Sequence, residues 1–192
     1  MTETAETVCR FWLEECEPKD WYVADDALDA RIRERFLPTW EAAMAGALDD
    51  WPATARGALG FLILTDQFPR NMFRGSGRAF ASDPLALAVA KQAIRAGQDR
   101  EIPNPGRQFF YLPLEHSETG PDQHRAVRLI LGRMESTETL LHARAHREVI
   151  RRYGRFPYRN EALGRESTEA ERAMVEAGGY GAVLRELQAQ AA

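Results

Sequence analysis

Apolar residues recur along this chain at helical spacing, and no segment sustains the apolar–polar alternation of a half-buried strand. Val8, Phe11, Trp12 and Cys16 mark one face of a first amphipathic helix, and Leu28, Ile32, Phe36 and Trp40 recur every four residues in a second. Pro38 interrupts the second pattern and predicts a kink or a new start. Pro52 suits the first position of a third helix, and Pro69 is expected to end it. Its centre, Gly60-Phe61-Leu62-Ile63-Leu64, is apolar on every side, which marks a helix central in the fold.

The same punctuation continues. Asp83-Pro84 reads as a helix start and Gly97 as a helix stop. Asn104-Pro105 precedes Phe109-Phe110-Tyr111-Leu112, where Pro113 kinks or ends the element. Gly120-Pro121 opens a helix through Ala126, Val127, Ile130 and Leu131. Ser136 opens one that runs to Gly154, and Ser167-Thr168 starts a last pair around Gly178-Gly179. The expectation is one all-α domain over residues 1–192, an array of about eight or nine antiparallel helices joined by short turns. The length suffices for a full core. No repeat of fixed period is present.

Composition narrows the classes of function. A net charge of −4 argues against a general nucleic-acid binder, although a local basic patch remains compatible with it. Lysine occurs only at Lys19 and Lys91 among 25 basic residues, so the rest are arginine. Arginine-rich usage reflects either a GC-rich genome or forked recognition of carboxylates and phosphates. On one helix, Cys9 and Cys16 would lie roughly 10 Å apart along the axis. A disulfide needs Cα atoms within about 7 Å. Free thiols are expected, as in a reducing compartment. The acidic start Met1-Thr2-Glu3-Thr4-Ala5-Glu6 lacks the basic and apolar regions of a signal peptide. No apolar run approaches the roughly 18 residues of a membrane span, so the expectation is a cytoplasmic protein without a membrane partner.

The residues able to carry chemistry gather at Pro-fixed turns. Gly154-Arg155-Phe156-Pro157-Tyr158-Arg159-Asn160 follows a helix carrying two histidines, and Asp66-Gln67-Phe68-Pro69-Arg70-Asn71 is a similar phrase upstream. Two arginines, an amide and two rings in one turn can clamp a small anion and stack on a planar group. Alternatively, Phe156 and Tyr158 anchor the turn while Arg155 and Arg159 bind helix carbonyls. Asp66 shares a helix face with Arg70. Near a helix C-terminus a carboxylate needs a cationic partner, so a structural ion pair is as good a reading as a catalytic one. His116-Ser117-Glu118 places an imidazole beside a carboxylate, which can serve as acid and base. Asp122 and Gln123 read as caps of the next helix. His142 and His146 lie one turn apart on the inward face of their helix, opposite the Arg144, Arg147 and Arg151 face. A zincin would also need a glutamate after the first histidine, and Ala143 stands there. Core histidines or a ligand role for His146 fit better than a metal pair.

Several phrases in order resemble a bacterial family known only as domain of unknown function 924. They begin with Phe11-Trp12, Trp21, Phe36 and Trp40. They continue with 66–75 (DQFPRNMFRG), 79–83 (AFASD), 111–118 (YLPLEHSE), 146–150 (HREVI), 153–160 (YGRFPYRN) and 163–168 (LGREST). The resemblance spans nearly the whole chain and implies an all-α, tetratricopeptide-like fold with no established activity or cofactor. His116, Glu118 and His146 match its positions, whereas His124 and His142 do not belong to its motifs. Tyr158 stands where the family usually has histidine. A metal site or proton relay needing that imidazole would be altered, while stacking and hydrogen bonding would survive.

Three functional expectations follow. In the first, Arg70, Asn71, Arg155, Tyr158, Arg159 and Asn160 hold a small anionic molecule, and His116 with Glu118, or His146, moves a proton, with Asp66 as a further acidic group. In the second, the helical array is a scaffold for a protein or peptide partner. In the third, the weakest given the acidity, the Arg144–Arg147–Arg151 face touches RNA.

Overall fold

The computed structural model describes residues 2–191, which are helical and turn segments without a strand. Contacts divide the chain into two compact units, Met1–Pro113 and Leu114–Ala192.

In the first unit, α1 (Ala5–Arg10) starts at Thr4, whose side chain accepts from the Thr7 N–H, and widens into a π turn over Phe11–Glu15. Helix α2 (Asp26–Met44) is capped by Asp25 and runs through Pro38 without a new start. Pro38 withholds a hydrogen bond from the carbonyl of Glu34, four residues back. Both residues are exposed, so water can take that carbonyl. Helix α3 (Ala55–Leu62) is capped by Thr54. Pro52 lies instead in a preceding 3-10 turn, Trp51–Ala53.

Nor does Pro69 end the third helix. After α3 the chain widens into a π turn, Ile63–Gln67, and continues as α4 (Phe68–Met72) with Pro69 in its first turn. The Pro ring denies the Thr65 carbonyl its usual donor. Ser82 fills the gap, its Oγ donating to Thr65 O at 2.5 Å while accepting from Trp40 Nε1 at 3.0 Å. Helix α5 (Asp83–Ala96) then runs to Gly97, which takes the left-handed conformation at φ 81°.

The core of this unit is aromatic. Phe11 meets Phe36 at 5.0 Å between centroids, Phe36 meets Phe68 at 4.8 Å, and Trp12 meets Phe68 edge-on at 5.4 Å. All four are at most 1% exposed. Helices α1 and α3 approach so closely that a Cβ on Gly60 would sit 2.6 Å from the Ala5 carbonyl oxygen. Cys9 and Cys16 are buried free thiols, as their spacing predicts. Burial pushes the Cys9 thiol up to about 12, which leaves it unreactive at neutral pH.

The second unit begins within the short α6 (Leu112–Glu115). It continues through α7 (Gly120–Arg133), α8 (Thr137–Tyr153), α9 (Glu169–Glu176) and α10 (Gly179–Ala191). Ser136 caps α8, Gly154 ends it at φ 72°, and Thr168 with Glu171 forms a reciprocal capping box on α9. Ala145, Val149 and Ile150 of α8 pack with Phe156, Met174 and Val183, flanked by Tyr153, Tyr180, Leu184 and Leu187. No helix of the described residues is long and apolar enough to cross a membrane.

Candidate functional site

The sequence-predicted residues fall in both units. Asp66, Arg70 and Asn71 belong to the first, and the remainder to the second.

In the first unit the polar groups lock one another. Arg70 forks onto Asp83 with two 3.0 Å contacts, donates to the Asp66 carbonyl and lies 3.4 Å from the Asp66 carboxylate. Asp66 is 2% exposed and lies in the π turn within a continuing run, not at a helix C-terminus. Asn71 donates to Asp29 at 2.8 Å and accepts from Gln67 at 3.0 Å. Arg74 forks onto the same Asp29 at 2.8 and 3.1 Å. These contacts tie α2, α4 and the start of α5 together.

All four histidines of the chain lie in the second unit, and His116, His142 and His146 fall in one cluster with Tyr180. The His146 ring lies 5.8 Å from that of His116, 5.8 Å from Phe156 and 4.6 Å from Tyr180. Tyr158 reaches Phe156 at 5.5 Å and Tyr180 at 6.5 Å. His142 shares a 2.6 Å hydrogen bond through Nδ1 with the Tyr180 hydroxyl. Burial pushes the His142 imidazole down from its ordinary range.

His146 is held in one tautomer. Its Nδ1 lies 3.0 Å from the carbonyl oxygen of His142, which can only accept, so the proton sits on Nδ1. The Glu115 carboxylate, 1% exposed, stands 3.5 Å from that same nitrogen. Nε2 therefore carries the lone pair of the neutral ring, and none of the described residues hydrogen-bonds to it. An imidazole oriented by a carbonyl and backed by a carboxylate presents Nε2 as a proton acceptor.

The loop that presents Glu115 and His116 is pinned from α7. Gln123 donates to the carbonyls of Glu115 at 2.5 Å and Ser117 at 2.8 Å. Asp122 accepts from Ser117 and Thr119, both at 2.9 Å. The two residues read as caps thus hold this loop. Glu118 accepts from the Phe156 N–H at 2.9 Å and from Arg165 at 2.8 Å. Arg159, 6% exposed, donates to the His116 carbonyl at 3.1 Å and stacks 4.3 Å from the Phe156 ring centre. Arg155 forks onto Glu171 and also donates to the Glu166 carbonyl. Asn160 is buried and donates to Ser167 Oγ at 3.0 Å. Tyr158 is the exposed member of the group, at 37%.

Sequence reasoning missed Glu115 and Tyr180. Glu115 sits inside the phrase that contains His116 and Glu118, but nothing in its spacing distinguishes it from them. Tyr180 is brought in by α10, and no local pattern signals it. Among the described residues, no group of three or more His, Cys, Asp or Glu side chains could hold a metal ion.

The fold and this cluster define an all-helical protein whose second unit sets an oriented, carboxylate-backed histidine among aromatic side chains. The chain belongs to the bacterial protein family of unknown function DUF924, whose profile matches residues 8–179. It is also similar to a solved structure of a protein of unknown function, ATU0120, from Agrobacterium tumefaciens. The two share 40% identity and a TM-score of 0.86, over 91% of this chain and 97% of that one. No curated protein matches the chain.

Proposed function

We propose that the second unit binds a small anionic molecule, a carboxylate or phosphate ester, and exchanges a proton with it through His146. The observation that carries this reading is the fixed tautomer of His146, with Glu115 behind Nδ1 and the Nε2 lone pair left for a ligand. His116 and the Tyr158 hydroxyl supply further donors, and the flat rings of Tyr158 and Tyr180 supply surfaces for stacking. Arg159 brings positive charge beside the His116 carbonyl. Glu118, Arg155 and Asn160 act through the turn they brace, by holding Phe156, α9 and Ser167 in place. Asp66, Arg70 and Asn71 have their role within the first unit, as an internal lock.

The test is a thermal-shift screen of carboxylate and phosphate metabolites on wild type and His146→Asn. A ligand at about 100 times its Kd stabilises by about 2.7 kcal/mol. At this length each kcal/mol moves the midpoint by about 2–4 °C. The expected result is a shift with one metabolite class that the variant loses. A flat screen would sink the ligand reading and turn attention to a protein- or peptide-binding scaffold.

A further inference from the structure

We propose that Tyr180 is a latch over His146, and that its release, eased by the glycine pair before it, gives a ligand access to that imidazole. The purpose of the opening rests on the role proposed for His146, whereas the latch stands on its own contacts. The Tyr180 ring lies against that of His146 at 4.6 Å, tilted by 37°. With this cover the His146 side chain is 16% exposed. The phenol is tied down at its far end, its oxygen 2.6 Å from His142 Nδ1 and 3.4 Å from the His142 carbonyl. One side chain thus bridges two successive inward positions of α8, covering the second and bonding to the first.

The backbone beside this side chain is built to turn. Gly178 and Gly179 both hold positive φ, 107° and 57°, a region that L side chains rarely adopt. A Cβ at Gly179 would meet nothing within 4 Å, so the glycine serves the backbone conformation and not a close approach. Beyond the first turn, α10 is anchored separately. Val183 is 1% exposed within the α8 core, Leu184 and Leu187 flank it, and Glu186 pairs with Arg152 at 2.8 Å. Tyr180 can therefore swing out while the rest of α10 stays docked.

The test is carbethoxylation of the full chain by diethyl pyrocarbonate, with the rate at each histidine read by tandem mass spectrometry. Exposed His124 serves as the internal reference. Tyr180→Phe keeps the ring and removes the hydroxyl. The expected result is a rate at His146 about fivefold above wild type, the factor that losing one net hydrogen bond allows, with His124 unchanged. Tyr180→Ala should raise it further. An unchanged His146 rate in Tyr180→Phe overturns the latch, and so does an equal rise at His124, which would signal general loosening. The reagent needs no ligand, so the outcome separates from the metabolite screen. A flat screen with the acceleration present sinks the ligand reading alone. A ligand shift with no acceleration sinks the latch alone.

Discussion

Arg155 forks onto Glu171, with Nε to Oε1 at 2.6 Å and Nη2 to Oε2 at 2.8 Å, and so ties the turn after α8 to the first turn of α9. The Glu171 carboxylate also accepts from the Thr168 N–H at 2.8 Å, closing the capping box. The guanidinium, together with the Thr168 N–H, holds the Glu171 carboxyl at about 2, well below the ordinary 4.5. A carboxyl depressed in the folded state contributes stability above its unfolded pKa, and that contribution fades as pH falls towards the folded value. Arg155→Ala should therefore lower the melting midpoint at pH 7, with the gap to wild type narrowing between pH 4.5 and about 2. Melting curves across that range check this, and a gap of constant size would contradict it.

Arg70 plays the corresponding part in the first unit. Asp66 is buried beside it, and removing the guanidinium takes a cation 3.4 Å away from that carboxylate. Arg70→Met should cost about 3 kcal/mol in urea unfolding. Asp83→Asn, which leaves the Asp66 contact in place, should cost less. Equal losses would mean that Asp66 takes little from Arg70.

Gly60 sets the approach of α1 to α3. An added methyl would fall 2.6 Å from a backbone oxygen, which cannot rotate away as a side chain can. Gly60→Ala should destabilise the chain by about 2 kcal/mol, as overpacking does. A denaturation midpoint equal to wild type would show that the two helices slide apart freely.

Tyr158 separates site from scaffold. Its ring is partly exposed, and Tyr158→Phe should change stability by no more than about 0.5 kcal/mol. If its hydroxyl serves the ligand, the same variant should weaken the stabilisation given by whichever metabolite shifts wild type. A titration followed by thermal shift measures both effects, and an unaltered ligand response would remove Tyr158 from the site.

The sequence by itself determined the helical class. The apolar residues recur at helical spacing, Ser136 and Thr168 accept from N–H groups in the first turns of α8 and α9, and Gly97 and Gly154 take positive φ where those signals predict. Each depends on neighbours within a few residues, so each is legible locally. Pro69 does not end its helix, because the carbonyl it orphans finds another donor. At Thr65 that donor is Ser82, 17 residues away. The candidate site divides in the same way. His116 and His146 could be named from the chain, and the Pro-fixed turn at 156–160 marked a place beside them. Which carboxylate stands behind which imidazole could not be named. Glu115, His146 and Tyr180 are 31 and 34 residues apart in sequence and meet only when α6, α8 and α10 come together. Only the tertiary structure decides such pairings, because burial and distance fix the partner of a charged or ring-bearing side chain, and both follow from packing rather than from residue order.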